Sequence, residues 1–348
     1  MIVVPGSIPK IMRSVLVLNF RIIVVMQSSK NISFILKVVI VGLALWFLYQ
    51  KVFANENLSE MYQWFLSTFK EQSTWPLVLV LLLMFVNWLL DAVKWKYLIK
   101  KEEEVSLWLS IKAVFLGITV SIFTPNRVGE FGGRVFCLEK ANRIKAVLIT
   151  ILGNMGQLLT TTIFGTLALV HYIHSYSGFL DGEADYWFFI LVFIAAIVVS
   201  ALIALYLNAY WLSSFFMNFK FLRKYEEYSD VFSYYSMNQL LYVILLSSSR
   251  YAVFSLQFYI LLLFFQVDLS LAESLTMSSL VFLTISIIPT IALTEIGVRG
   301  SIAIYFFGLI SANHIGILTA TFALWFTNLV LPALFGTVLV YNLKFFRK

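Results

Sequence analysis

The chain has 348 residues, of which 61% are hydrophobic and only 12% are charged, and its formal net charge is +7. Soluble domains carry about 25% charged residues, so this composition excludes a soluble globular protein and indicates an integral membrane protein. A basic chain can also bind nucleic acid, but here Lys and Arg lie mostly in short loops between apolar runs. Positive cytoplasmic loops explain that distribution, and we expect no nucleic-acid partner.

Residues 1–30 contain a short apolar run that is interrupted by Asn19 and Arg21. It is too short and too polar to span a bilayer. We interpret this region as a cytoplasmic or interfacial N-terminal segment. The alternative is that the natural start is Met26, so that the first 25 residues do not belong to the protein.

Residues 31–348 are predicted to form a single transmembrane domain. Six stretches are long and apolar enough to span a bilayer, namely 34–53, 75–93, 146–173, 187–210, 240–265 and 315–340. Three further apolar stretches are short, namely 107–123, 275–288 and 301–310.

Loop charges give these stretches an orientation. Clusters of Lys and Arg at 94–101, 140–145 and 220–224 indicate cytoplasmic loops, and the loops at 171–185, 266–273 and 311–314 have neither residue. With both termini cytoplasmic, 106–145 then enters and leaves from the inside, and 273–313 from the outside. This predicts an all-α polytopic protein with six spanning helices and two opposed re-entrant helical hairpins. The competing layout makes each hairpin a full but kinked span.

The two predicted hairpins carry the same charged motif. Residues 125–134 read PNRVGEFGGR and residues 289–300 read PTIALTEIGVRG, and both contain Glu-x-Gly-x-Arg. Glu130 and Glu295 are 165 residues apart, as are Arg134 and Arg299. Repeat one therefore covers about 75–173 and repeat two about 240–341, in inverted orientation. Broken, charged segments at matching places in two repeats are typical of a transporter site.

The residue types in these motifs suit an anion site. Pro125 and Pro289 end or kink a helix. The glycines permit unusual backbone angles and close approach, and are Gly129, Gly132, Gly133, Gly297 and Gly300. Each motif lies at the tip of a predicted hairpin, where one helix ends and the next begins. The N-terminus of the second helix directs free N–H groups into a cavity. There Arg134 and Arg299 are expected to hold a phosphate group, because guanidinium binds phosphate bidentately.

Other charged residues have weaker assignments. Arg127 and Arg250 are expected to assist the phosphate site. In each motif Glu precedes Arg by four residues, so Glu130 and Glu295 either neutralise their own Arg or exchange partners and carry a coupling proton. Asp91 and Lys94 are interpreted as an interfacial ion pair.

The neutral polar residues of the predicted spans are assigned to structure, and we expect no cofactor. Asn154, Gln157 and Asn328 are interpreted as interhelical hydrogen-bonding residues. His171 and His174 lack the further ligands of a metal site, so no metal is expected. The sequence contains no Gly-x-x-x-x-Gly-Lys motif, which argues against ATP hydrolysis within this chain.

The two motifs resemble those of a known family. Residues 125–134 resemble the first motif of the lysylphosphatidylglycerol synthase transmembrane region, also called the flippase-like family, and residues 295–299 resemble its second motif. The likeness covers roughly residues 30–345 in motif spacing and hydropathy. Arg127, Glu130 and Arg134 match the first motif. In the second motif, Gly297 and Arg299 match. The acidic residue differs: family members have it after the Arg, whereas here Glu295 precedes Arg299.

The resemblance implies a lipid translocator. We expect a stand-alone member without a synthase domain and no enzyme activity, in the bacterial cytoplasmic membrane. It is expected to move a phospholipid or polyprenyl-phosphate lipid by alternating access, alone or as a homo-oligomer.

Two alternatives stay open. One is a membrane-embedded lipid phosphotransferase or phosphatase, which would need an activated nucleophile near the tips. The other is a small-solute or ion-coupled secondary transporter.

Overall fold

The computed structural model describes residues 72–121, 124, 127–176, 184–208, 211, 213–214, 218, 223–288 and 292–341. Within these ranges every regular element is helical. The predicted first span at 34–53, the segment 1–30, Pro125 and Pro289 lie outside the described residues. The predicted all-helical class is therefore confirmed for the part of the chain that the structure describes.

Ten α-helices follow one another in the described chain. They are α1 (Trp75–Ile99), α2 (Leu107–Ser121), α3 (Gly129–Val135), α4 (Arg143–Tyr176), α5 (Ala184–Leu207), α6 (Met237–Phe264), α7 (Leu271–Ile287), α8 (Ala292–Phe307), α9 (His314–Trp325) and α10 (Leu331–Tyr341). A 3₁₀ helix at Arg223–Tyr234 precedes α6, and a π-helical turn at Phe326–Val330 joins α9 to α10.

Within the part of the chain that the structure describes, five helical segments are long and apolar enough to cross a membrane. They are Trp75–Ile99, Arg143–Ser175, Phe188–Leu207, Met237–Phe264 and His314–Gly336. These coincide with five of the six predicted spans, so the multi-pass prediction is confirmed. The helices α2 and α7 have 15 and 17 residues. At about 1.5 Å per residue they are shorter than the hydrocarbon core of about 30 Å.

Local chemistry fixes several helix ends. The Ser270 hydroxyl accepts the backbone N–H of Glu273, and the Glu273 carboxylate accepts the backbone N–H of Ser270. This reciprocal capping box begins α7 because both orphan N–H groups gain a partner. Asn313 is the N-cap residue of α9, and its Oδ1 accepts the Gly316 N–H at 2.9 Å.

Helix boundaries recur at an offset of 165 residues. Shifted by 165, the bounds of α1 become 240–264 and those of α2 become 272–286, close to Met237–Phe264 for α6 and Leu271–Ile287 for α7. The last residue of α4, shifted in the same way, becomes 341, where α10 ends. Two stretches separated by this offset therefore fold into the same series of helices.

The packing between the two stretches is reciprocal. The helices α1 and α6 contact each other, α2 packs on α10, and α7 packs on α4. Each short apolar helix thus lies against the last helix of the other stretch. One buried apolar cluster includes Trp95 and Leu116, and a second includes Phe258 and Phe307. A cavity remains between the two clusters' helices, and the charged motifs reach it.

Candidate functional site

A cavity of about 410 Å³ lies where helices of both stretches meet. Its wall contains three arginines, Arg127, Arg250 and Arg299, and the carboxylate of Glu130. Two of the arginines come from the predicted tips, before α3 and in α8, and the third comes from α6. The structure therefore brings four of the predicted site residues to one cavity, although they are up to 172 positions apart in the chain.

The first tip holds Arg127 in an unusual backbone conformation. Arg127 has φ 57°, in the left-handed region that non-glycine residues seldom occupy. Neighbouring bonds fix this turn: the Arg127 N–H donates to Thr124 O at 3.3 Å, and the Gly129 N–H donates to Thr124 Oγ1 at 2.8 Å. Backbone strain of this kind persists where surrounding structure enforces it, and it clusters at functional sites.

Arg250 is fixed at the cavity wall by three residues of α1. Its Nε donates to Asn87 Oδ1 at 3.0 Å, and its Nη1 donates to Asp91 Oδ1 at 3.0 Å. The guanidinium also lies over the Trp88 ring, 4.6 Å from the centroid. A cation held on a ring face and by two acceptors loses little further entropy when it binds an anion.

Asp91 is the centre of a buried ion-pair network. Its side chain is fully buried, and its carboxylate contacts Lys94 Nζ at 3.0 Å, Arg134 Nη2 at 2.6 Å and Arg250 Nη1 at 3.0 Å. The interpretation of Asp91 and Lys94 as an interfacial pair was wrong about location, because both side chains are buried inside the protein. The pair itself forms, but as part of a larger network.

A sequence signal for this network did exist. Asn87, Asp91 and Lys94 are spaced by four and three residues along an otherwise apolar helix, so they share one helix face. A polar stripe on a predicted spanning helix indicates a face that packs inside the protein. All three side chains are indeed buried.

Arg134 lies behind the cavity wall. It is 1% exposed, and its Nη2 donates both to Asp91 and to Glu130 Oε1. Glu130 pairs with its own Arg, as the first of its two interpretations has it. Glu130 reaches the cavity, whereas Arg134 does not belong to its lining. The structure therefore places Arg134 where it supports the tip, and leaves Arg127, Arg250 and Arg299 as the arginines facing the cavity.

Close backbone packing holds the first tip against α2. A Cβ on Gly133 would lie 2.7 Å from Gly117 Cα, and one on Gly129 would lie 2.7 Å from Val120 O. These two glycines therefore permit the expected close approach. A Cβ on Gly132 would meet nothing within 4 Å. The tight contact is what carries Arg134 into reach of Asp91.

The second tip is described in part. Arg299 lies in α8 and lines the cavity, and Gly297 and Gly300 are buried in the same helix. The backbone of Glu295 belongs to α8, one turn before Arg299. Its side chain lies outside the described part of the structure.

An amide pair connects the two stretches beside the arginines. Asn87 Nδ2 donates to Asn328 Oδ1 at 3.0 Å, and Asn328 Nδ2 donates to Leu324 O at 3.2 Å. Asn328 lies in the π-helical turn, and Pro332 has no N–H to give to its carbonyl. π-turns inside helices are frequent at functional sites. The prediction of an interhelical hydrogen bond for Asn328 is confirmed.

The remaining lining is aromatic and amide-rich. Asn154 and Gln157 contribute from α4, and the ring side chains are Trp88, Tyr251, Phe254, Phe282 and Trp325. A mostly apolar pocket with a few convergent polar groups is the usual form of a ligand site. This pocket can bind an anion at its arginines and an apolar or ring-bearing group beside them.

A family match covers most of the chain. The family model described as lysylphosphatidylglycerol synthase TM region matches residues 34–336, which include both tips and the five long helical segments. The resemblance predicted over roughly 30–345 is thereby confirmed. Comparison with curated proteins gave no match, and comparison with solved structures gave none. The chain belongs to the lysylphosphatidylglycerol synthase transmembrane-region family.

Proposed function

We propose that this protein is a lipid translocase that moves a phosphate-bearing headgroup across the bacterial cytoplasmic membrane. The observation that carries the proposal is the set of three arginines on one cavity, contributed by the first tip, α6 and α8. Charges inside a membrane protein mark substrate or ion pathways. Membership of a family of lipid-associated membrane domains supports a lipid as the substrate.

In this proposal the chain has six spans and two re-entrant hairpins, related as an inverted repeat, with both termini cytoplasmic. Three observations support it: the 165-residue recurrence of helix bounds, the reciprocal packing of α2 on α10 and α7 on α4, and the shortness of α2 and α7. Inverted repeats give alternating access when one half rocks against the other around a central site.

The headgroup phosphate binds Arg127, Arg250 and Arg299 while the acyl or prenyl tails stay in the bilayer. An ion-pair chain runs from Glu130 through Arg134 and Asp91 to Arg250, and both of its ends reach the cavity. An anion that binds Arg250 competes with Asp91 for the same guanidinium. Occupancy is thereby coupled to the first tip, because Asp91 also holds Arg134. Glu295 is assigned to the same exchange of partners at the second tip.

We further propose that the lipid crosses without chemical change. Among the described residues, the titratable side chains that line the cavity are the three arginines, Glu130 and Tyr251. An enzyme of phosphate esters would need a nucleophile with an adjacent base, or a metal ion. This lining is suited to binding and release of an anion.

A translocation assay tests the function. Purified protein in liposomes is mixed with a fluorescent phospholipid, and its arrival in the other leaflet is measured by chemical quenching. Arg299→Gln should lower the rate about tenfold or more, because it removes a charge from the cavity wall. Lys100→Gln is the matched control, since Lys100 is exposed and pairs only with exposed Glu104 at 3.4 Å among the described contacts.

The variants must keep the wild-type melting temperature for the comparison to be valid. The proposal fails if the wild-type protein translocates no phosphate-bearing lipid faster than empty liposomes do. Release of free phosphate from the lipid by purified protein would support the phosphatase alternative instead.

A further inference from the structure

We infer that the cavity recognises hydroxyl groups on the lipid headgroup, such as those of a glycerol or a sugar that is esterified to the phosphate. The recognition surface is a strip of three neutral polar side chains on α4, namely Asn154, Gln157 and Thr161. This inference rests on the proposed function, because it names the substrate class of the same site. It is carried by the hydrogen-bonding groups that the strip leaves unused.

The strip is one face of α4 and lies close to the anion site. Its residues are spaced by three and four positions along the helix, so their side chains lie above one another. All three line the cavity, whose arginines come from other elements. Gln157 Nε2 donates to Ser247 O at 3.5 Å, and Ser247 precedes Arg250 by three residues on α6. The strip is therefore within about one helical turn, roughly 5.4 Å, of the α6 backbone that carries Arg250.

Four of the described side chains that line the cavity are amides, and they differ in what they bind. Asn87 and Asn328 bond to each other. Asn87 also accepts from Arg250, and Asn328 also donates to a backbone carbonyl. By contrast, Asn154 makes no hydrogen bond within the part of the chain that the structure describes, and Gln157 Oε1 has no partner there. Two of the four amides are thus engaged by the protein, and the two on α4 keep capacity for an occupant.

The unused groups of the strip suit a hydroxyl group. The Asn154 amide offers donors and an acceptor, and a hydroxyl can use both kinds of group. Thr161 Oγ1 donates to Gln157 O at 3.1 Å, so the same oxygen can accept a bond from an occupant. The terminal torsion of a glutamine is broad, so Gln157 can turn its oxygen towards an occupant at small cost. An ammonium group has no acceptor for the Asn154 N–H, and a neutral strip gives it no counter-charge.

The size of the cavity also favours a headgroup that is larger than a phosphate. Its volume is about 410 Å³, and pockets of roughly 300–1,000 Å³ bury ligands of drug size. A phosphate group at the arginines leaves much of this space to the group that is attached to it. Buried polar atoms without a partner are costly, and an occupant that bonds to them removes the cost. A glycerol or sugar beside the phosphate fills the space and bonds to the strip.

Paired lipids of equal charge test the inference on the purified full chain in detergent. One pair is short-chain phosphatidylglycerol and short-chain phosphatidylmethanol, and the other is glucosyl farnesyl phosphate and methyl farnesyl phosphate. Each hydrogen bond to a hydroxyl should strengthen binding about threefold to tenfold. The hydroxyl-bearing member of at least one pair should therefore bind about tenfold more tightly than its methyl partner. The pair with the larger affinity ratio tells whether the hydroxyls belong to a glycerol or to a sugar.

Two adjacent threonines of α4 give a matched control. Both donate to the backbone carbonyl four residues earlier, Thr161 at 3.1 Å and Thr162 at 3.0 Å. Of the two, only Thr161 lines the described cavity. Thr161→Val should lower the affinity ratio within the preferred pair about threefold, and Thr162→Val should leave the ratio unchanged. Asn154→Leu should lower the ratio further, because it removes donors and an acceptor together. Equal effects of the two threonine variants would overturn the inference.

Three other results would also overturn it. One is equal affinity within both lipid pairs, and another is tighter binding of short-chain phosphatidylethanolamine than of short-chain phosphatidylglycerol. The third is an unchanged affinity ratio in both Asn154→Leu and Thr161→Val, which would place the recognition elsewhere. Failure of the proposed function gives a different result. Equal translocation of fluorescent phosphatidylglycerol and phosphatidylmethanol in liposomes contradicts only the inference, whereas translocation of neither lipid contradicts the proposed function.

Discussion

The two tips share a motif, but they are packed in different ways. In the first half Gly117 and Gly133 bring α2 and α3 into backbone contact. The positions 165 residues later are Phe282 and Val298, both buried. Phe282 lines the cavity and stacks within an aromatic cluster that includes Phe258 at 6.1 Å. The first tip is therefore closed by small residues, and the second is filled by side chains.

The charges differ between the halves as well. The position equivalent to Asp91 is Leu256, and the position equivalent to Arg250 is Phe85. Only the first half thus supplies the carboxylate that draws its tip arginine, Arg134, into the interior. Arg299 in the second half lies on the cavity wall instead. A duplicated motif can keep its spacing while the arginine of one copy is buried in the protein and that of the other faces the cavity.

Removing the carboxylate at the centre of the first half should have the largest effect. Asp91→Asn leaves Lys94, Arg134 and Arg250 without their shared anion, and uncompensated buried charge costs about 3–5 kcal/mol. We expect a large fall in melting temperature or failure to fold, measured by intrinsic fluorescence in detergent. Leu256→Asn at the equivalent position of the second half is the control, and should cost less because it leaves no buried charge without its counter-ion.

A double variant tests whether Asp91 and Arg134 stabilise the protein as a pair. Arg134→Gln combined with Asp91→Asn removes both members of one pair, so its loss of stability should be smaller than the sum of the single losses. Strict additivity would contradict the network, because it would mean that the two residues act independently.

The spans could be predicted from the sequence, whereas the buried network could not. Apolar length and loop charge are local properties, so five spans and the breaks at both motifs are visible in the chain. Asp91 was misplaced because its burial depends on Arg134 and Arg250, which are 43 and 159 residues away. The direction of the Arg134 side chain could not be predicted for the same reason. The motif predicts a charge at the tip, but the close packing at Gly133 decides whether the guanidinium faces the cavity or the buried Asp91.

Alanine substitutions at the adjacent glycines of the first tip should have a smaller effect on stability than the loss of Asp91. Gly133→Ala places a methyl group 2.7 Å from Gly117 Cα and 3.0 Å from Leu116 O, both backbone atoms that cannot rotate away. Overpacking of this kind costs about 1–3 kcal/mol. Gly132→Ala should be neutral or stabilising, because its methyl group meets nothing within 4 Å and alanine favours the helix.

Thermal unfolding of the two glycine variants separates close packing from backbone flexibility. If both variants lose the same stability, the tip needs flexible backbone and the close contact of α2 with α3 is not what holds it. Val298→Gly extends the comparison to the second tip. Glycine at this position should destabilise the protein because it opens a void. At the equivalent position of the first tip, by contrast, glycine is the residue that the packing requires.

The smallest effect is expected at the loops that flank helices α2–α3 in the first half and α7–α8 in the second. In the first half the Glu103 carboxylate accepts the backbone N–H groups of Glu139, Lys140 and Ala141, the last two at 2.7 and 2.8 Å. In the second half Asn313 Nδ2 donates to Phe265 O and Gln266 O at 3.1 and 2.9 Å. One tie uses an ionisable group, and the other a neutral amide.

Only the first tie should therefore respond to pH. Burial raises the pKa of Glu103, but the three N–H donors outweigh it and hold that pKa below the ordinary glutamate value. The stabilisation is thus fully present above the unfolded-state pKa and is lost as pH falls through the folded-state pKa. Glu103→Gln should cost about 1 kcal/mol at neutral pH, and its melting temperature should approach that of the wild type below about pH 4. Asn313→Ala should cost the same at both pH values, and a pH-independent gap for Glu103→Gln would show that the carboxylate charge does not strengthen the first tie.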